Sequence, residues 1–293
     1  MKLAIHSFVW SDAQDQNSLE LVMEKAVATG YSLIEFPGVD RNKINVDRIA
    51  KRAEQLGLGV LASAGLAPEY DLTSEDPEVV RRGEAFLHEA VSVARDLGSR
   101  QMSGPMFSAH QKFKTMPTRR GWDTSVGVLQ KVSEKAKAAN VALCMELVNR
   151  YETNLINTVQ QGLAYIRDSG SDNIYLHLDT FHMNMEEEDP AQAIRLAGDR
   201  IGYFHIGESN RGNLGSGTIQ YAPIFDALLD IGYSRNIGIE AFANAGCGDW
   251  LKAICAVWRE NWSDGDNFAR TSKTFVEMKI NEAKGRRAAY RAA

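Results

Sequence analysis

Cysteine is scarce in this chain. Only 3 occur in 293 residues, Cys144, Cys247 and Cys255, an odd number with no Cys-x-x-Cys pair. That spacing excludes a zinc finger and gives no disulfide framework, so a reduced cytoplasmic protein is expected. Long apolar runs are missing too. No stretch approaches the roughly 20 apolar residues of a membrane span, and the apolar part of MKLAIHSFVW is too short for a secretory signal. Positive charge is not in excess, with a formal net charge of −5. No global field therefore draws the chain to nucleic acid or to an anionic membrane, and neither is expected as a partner. Linkers and low-complexity segments are absent as well, which predicts one domain over 1–293. The tail from Lys284, KGRRAAYRAA, is locally basic and reads as a frayed or packed helix end rather than a binding patch.

What is present is a rhythm of strand, loop and helix. Short apolar runs at 3–8, 33–36, 59–64, 100–104, 141–147, 174–179, 201–206 and 237–240 read as strands. Helical patterns at about 17–29, 45–56, 77–97, 122–139, 158–169, 190–197, 222–231 and 248–260 separate or follow them, and a final helix covers about 266–284. Eight strands alternating with eight helices predict a closed parallel sheet, a single (β/α)8 barrel with an additional C-terminal helix and tail over 266–293. The 44% hydrophobic content can fill such a core. A doubly wound open sheet is the runner-up, but its usable crevice lies at one switch point.

Four strand ends carry a metal-competent side chain: Glu146, Asp179, His205 and Glu240, spaced 33, 26 and 35 positions apart. One strand–helix unit takes roughly 30 residues, so successive units bring all four to one end of the barrel. Strand parity agrees, because residues two apart share a face. Glu146 goes with Cys144 and Ala142, Asp179 with His177 and Tyr175, and His205 with Tyr203. The opposite face is aliphatic, with Leu143, Met145, Leu176, Leu178, Phe204, Ile206, Ile237 and Ile239 suited to packing against helices. An isolated inward carboxylate is usually a salt-bridged structural residue. Three converging carboxylates repel one another unless a divalent cation neutralises them. Mostly oxygen donors favour Mn²⁺, with Mg²⁺ or Co²⁺ possible.

The segments MELVNRYETNLINT (145–158), HLDTFHMNMEEED (177–189), FHIGESNRGNLGSG (204–217) and IEAF (239–242) resemble the ketose 3-epimerases. These enzymes act on D-tagatose, D-allulose or L-ribulose, within the wider xylose-isomerase-like TIM barrels. SFVW (7–10) and LIEFP (33–37) resemble the branch acting on L-ribulose or D-allulose. The resemblance implies that Glu146, Asp179, His205 and Glu240 hold the metal and that Glu146 and Glu240 are the acid–base pair. Proton removal by one glutamate and return by the other would invert carbon 3 through a metal-stabilised enediolate. Glu152, His182 and Arg211 match positions that hold the O1–O3 end of the sugar. Phe8, Trp10 and Phe242, at predicted strand ends, would wall the pocket, with Gly65, Met106 and Phe107 at its rim. A homodimer or homotetramer is also implied. The chain departs from many relatives at Glu240-Ala241, where they read Glu-Pro, which leaves the shape of the last loop and the preferred ketose open.

Bland alternatives stand beside these readings: a pairing with Arg150 for Glu152, a loop histidine for His182 and a surface arginine for Arg211. His6 and His177 read as satisfied interior histidines, Glu208 as either structural or an outer partner of the site, and the run Glu186–Asp189 as a solvated helix start. GNLGSG lacks Gly-Lys-Ser/Thr and is no nucleotide loop. At the level of function, the alternatives are an aldose–ketose isomerase on the same barrel and a catalytically silent sugar-binding protein. A DNA-repair endonuclease needs a histidine-rich multi-zinc site and a basic groove, which six histidines and a net charge of −5 do not supply.

Overall fold

The structure, a computed structural model, describes residues 1–292, so Ala293 of the C-terminal tail lies outside the described residues. Eight strands, β1 (Leu3–His6), β2 (Leu33–Phe36), β3 (Gly59–Ser63), β4 (Gln101–Gly104), β5 (Ala142–Glu146), β6 (Ile174–Asp179), β7 (Ile201–Ile206) and β8 (Ile237–Ile239), pair in parallel in sequence order. β1 also pairs with β8 and closes the barrel. Around it run α1 (Gln16–Ala28), α2 (Val46–Leu56), α3 (Pro77–Asp96), α4 (Arg119–Ala138), α5 (Val159–Ser169), α6 (Thr180–Glu186), α7 (Pro190–Ala197), α8 (Tyr221–Asp230), α9 (Asp249–Ile254) and α10 (Gly265–Ala292). None of these helices, among the described residues, is long and apolar enough to cross a membrane.

Side-chain alternation divides the strands as parity requires. Ile5, Ile34, Val60, Met102, Leu143, Leu176, Phe204 and Ile239 face outward into the layer shared with the helices. Ala4, Leu33, Leu61, Cys144 and Tyr203 form a separate plug inside the barrel. The plug fills the cylinder below the strand ends, so polar side chains in the next layer rest on a dry floor.

Local chemistry moved several boundaries. β1 stops at His6 because the chain turns into a 3₁₀ segment over Ser7–Val9, with His6 Nδ1 accepting the Phe8 amide at 3.2 Å. The run Glu186–Asp189 does not start a helix. Asp179 caps the unforeseen α6, Glu186 ends it, and Asp189 caps α7 at Pro190. The helix expected over 248–260 ends at Ile254. There the Val257 amide reaches back to the Lys252 carbonyl at 2.8 Å while Ala256 takes φ +52°, a left-handed stop that a helix cannot pass. The last helix runs beyond its expected end at 284, to Ala292.

Gly104 closes β4 at φ +110°, where an added Cβ would lie 2.4 Å from the Ala64 carbonyl oxygen. Both the backbone region and the contact exclude other residues. Gly104→Ala is expected to lower the unfolding free energy by about 2–3 kcal/mol, read from the denaturant midpoint at constant slope. An unchanged midpoint would show that the loop yields freely.

Candidate metal centre and its cavity

At the C-terminal ends of the strands lies a cavity of about 410 Å³. β5, β6 and β7 carry Glu146, Asp179 and His205 there, and Glu240 follows β8 directly. Register sets their heights, pairing Asp179 with His205 and His205 with Gly238. One donor atom from each of the four lies within 4.8 Å of all the others. Asp179 spends Oδ1 on the Phe181 amide at 2.6 Å as the cap of α6, which leaves Oδ2 toward the cluster.

His205 is the most constrained member. Its Nε2 lies 2.8 Å from Glu35 Oε2. Its buried Nδ1 has no hydrogen-bond partner among the described residues and stands 3.9 Å from Asp179 Oδ2 and 3.8 Å from Glu240 Oε1. The site's electrostatics call for added positive charge. Burial and the neighbouring Glu240 push Glu146 well above the ordinary carboxylate range. Burial also pushes Glu240 up to about 7, against the lowering effect of His205. Burial would depress His205, yet Glu35 and the adjoining carboxylates raise it to about 10. Three carboxylate oxygens and an orphaned imidazole nitrogen, all buried and convergent, fit a divalent cation.

Beside the cluster, Glu152, His182 and Arg211 form one hydrogen-bonded group. Glu152 Oε1 accepts from Arg211 Nη2 at 3.0 Å and from Asn149 Nδ2 at 2.9 Å, while Oε2 meets His110 Nε2 at 2.6 Å. Burial acts to raise Glu152, but Arg211, His182 and His110 together outweigh it and hold the carboxyl well below its usual range. His182 Nδ1 accepts the Asn149 amide at 3.1 Å, and burial lowers the ring to about 4. The neutral ring therefore carries its proton on Nε2, 3.7 Å from Glu146 Oε1. Arg211 is no surface residue. Its Nη1 donates to the Cys255 carbonyl at 2.7 Å, and its guanidinium lies 4.0 Å over Phe181 and 4.8 Å over Phe242. Arg150 pairs with Glu186 instead of Glu152.

Phe8 and Phe242 stack at 5.2 Å and line the cavity with Leu251 and the exposed Trp250. Trp10 does not line it. The 3₁₀ turn after β1 breaks strand alternation and swings its indole outward, where Nε1 donates to Asp266 at 2.7 Å. Gly65 is on the wall, but Met106 and Phe107 are fully buried in the helix-facing core, and Gly104 and Pro105 take their place. His177 is not a satisfied interior histidine. It sits edge-on to His205, and neither ring nitrogen has a hydrogen-bond partner among the described residues. Glu208 is structural, accepting the Ser209 and Gly215 amides and the Tyr221 hydroxyl to tie its loop together.

Sequence reading passed over Glu35, Asn149 and His110. Glu35 shares the inward parity of Leu33 on β2, the same signal that picked out the cluster. Asn149 lies inside the quoted NRYET segment. His110 comes from an irregular stretch with no pattern to mark it.

A family model described as xylose isomerase-like TIM barrel matches residues 23–261. The L-ribulose 3-epimerase of Mesorhizobium japonicum is 45% identical over 283 residues, 97% of this chain and 95% of that one. A solved L-ribulose 3-epimerase superposes with a TM-score of 0.97 at 44% identity, covering 100% of this chain and 98% of the other. The D-allulose 3-epimerase of a Methylomonas species, solved with D-allulose, gives a TM-score of 0.93 at 34% identity, with 95% and 97% covered.

Proposed function

Since the chain belongs to the xylose isomerase-like TIM-barrel family and, within it, to the ketose 3-epimerases, an isomerase, we propose that it inverts carbon 3 of free ketoses with a divalent metal. The substrate pairs are L-ribulose with L-xylulose, D-allulose with D-fructose and D-tagatose with D-sorbose. L-ribulose comes first for testing, because the relative at 45% identity is named for it. The observation that carries this reading is the convergence of Glu146 and Glu240 within one cluster beside the cavity.

Glu146, Asp179, His205 and Glu240 would hold the cation, with Mn²⁺ favoured and Mg²⁺ or Co²⁺ as substitutes. When bound there it supplies Lewis-acid polarisation of the carbon 2 carbonyl, which acidifies the carbon 3 hydrogen. The side chains perform the proton transfers. Glu146 rises from β5 and Glu240 from the end of β8, so they address a substrate from different directions. One carboxylate takes the carbon 3 proton, and the other, protonated, returns one to the opposite face. His182 Nε2–H, Arg211 and Glu152 orient the O1–O3 end, and Phe8, Phe242 and Leu251 offer C–H faces a wall without hydrogen-bond demands. A wall of that kind accepts pentoses and hexoses.

The test is incubation of the Mn²⁺-loaded protein in heavy water with L-ribulose, D-allulose, D-fructose or D-tagatose, followed by product separation. The expected outcome is the carbon 3 epimer carrying one deuterium at carbon 3. An aldose product would make the chain an aldose–ketose isomerase, and sugar binding without turnover or exchange a silent binding protein.

A further inference from the structure

Glu35 carries a buried negative charge that neither the metal cluster nor the sugar-facing group contains. It lies on β2, is 1% exposed and has no lysine or arginine partner among the described residues. Two other strands converge on its carboxylate. Ser103 Oγ of β4 donates to Oε1 at 2.8 Å, Tyr203 Oη of β7 donates to Oε2 at 2.7 Å, and His205 Nε2 of β7 reaches the same Oε2 at 2.8 Å. A carboxylate is expensive to bury, and an apolar side chain of similar volume usually packs there at least as stably. Folding alone therefore does not explain an acid at this position.

What the acid does is select the tautomer of His205. A neutral imidazole donates from one nitrogen and accepts at the other, whereas an ionised carboxylate only accepts. With Glu35 facing Nε2, the ring keeps its proton on Nε2 when a cation displaces the other one, and the lone pair falls on Nδ1. That nitrogen is the buried orphan aimed at Asp179 and Glu240. The hydroxyls of Ser103 and Tyr203 hold the carboxylate in place, and the Tyr203 ring stands against His205 at 4.8 Å between centroids.

We propose that Glu35 is a positioning residue, which fixes the Nε2–H tautomer and ring orientation of His205 so that Nδ1 is presented to the cation. The inference rests on the metal-dependent reading of the site. Outer partners of this kind typically change metal affinity by about 10–100-fold when removed.

Glu35→Leu removes the acceptor at similar volume. Glu35→Gln keeps one, because its amide oxygen can take the Oε2 place while its nitrogen faces Ser103 Oγ, whose proton turns to the Ala62 carbonyl at 3.2 Å. Titration calorimetry with MnCl₂ is expected to show about 10–100-fold weaker binding for Glu35→Leu and rescue to within about threefold for Glu35→Gln. Nitrogen-15 NMR of the Mg²⁺-loaded wild-type protein needs no variant and is expected to find His205 protonated on Nε2 only. Wild-type Mn²⁺ affinity in Glu35→Leu overturns the inference while leaving the metal reading intact, and a proton on Nδ1 in the loaded protein overturns the inference together with His205 as a ligand. Failure of the wild-type chain to bind Mn²⁺ overturns the metal reading, and this inference falls with it. Should Glu35→Leu not fold, Glu35→Asp, which keeps the buried acid but draws it back from Nε2, is titrated in its place, and wild-type Mn²⁺ affinity there overturns the inference.

Discussion

Glu240→Gln is expected to reduce kcat for ketose epimerisation by about 10³-fold or more at saturating Mn²⁺, with the barrel still folded by circular dichroism. Glutamine keeps the size and the polar contacts of the side chain but neither takes nor gives a proton at this pH. The two carboxyls come from different strands of the barrel and reach the cavity from different directions, which is what a two-face proton transfer uses. Glu146→Gln is expected to fail equally. The two-base arrangement makes a sharper demand too. With one base lost, the other still exchanges the carbon 3 hydrogen of a single epimer, so deuterium enters that sugar without its partner appearing. Near-wild-type turnover in either variant would remove the pair from the reaction. Exchange into both epimers by a single variant would point to one base.

Arg211→Met is expected to lower the unfolding free energy by about 3–5 kcal/mol and to raise KM for the ketose. Arg211 and Glu152 are 8% and 6% exposed, so solvent cannot take over the lost partner. Methionine preserves contact with Phe181 and Phe242 but leaves Glu152 with only Asn149 and His110. The same removal frees the Cys255 carbonyl and loosens the segment that carries Leu251 over the cavity. Glu152→Gln in the Arg211→Met background should restore part of the stability, because the unpaired buried charge is then gone. Its pH dependence has a definite sign. Glu152 titrates in the folded chain below its ordinary 4.5, so its contribution is complete above pH 4.5 and is lost as acid protonates it toward the lower, folded value. Glu152→Gln should therefore flatten the acid side of the stability curve. Denaturant titrations of the two single variants and the double variant measure the coupling. A loss below about 1 kcal/mol for Arg211→Met would mean that the pair behaves as an exposed one.

The barrel and its chemistry were legible to different depths. Strand positions and inward faces were readable wherever apolar residues alternate, as in IYLHLD and IGYFHI, because a strand's two-residue period follows from backbone geometry alone. Glu146, Asp179, His205 and Glu240 could be placed together on that basis, before any contact was known. Errors gathered where the chain leaves regular structure. Trp10 follows a 3₁₀ turn in which alternation no longer holds, and Ala256 stops a helix whose apolar pattern invited continuation. His110 reaches Glu152 from a segment with no periodicity.

The sequence by itself determined the cylinder, the end of it that carries the acids and the oxygen-rich character of the donor set, since each depends on residues close along one strand. Only the tertiary structure decided which partner each acid finds. Glu35 meets His205 from 170 positions away and Glu152 meets Arg211 from 59. Contacts of that range exist only once the strands have assembled around the barrel axis. Hydrogen-bond choice is then settled by ångström-scale distances, which no residue period encodes.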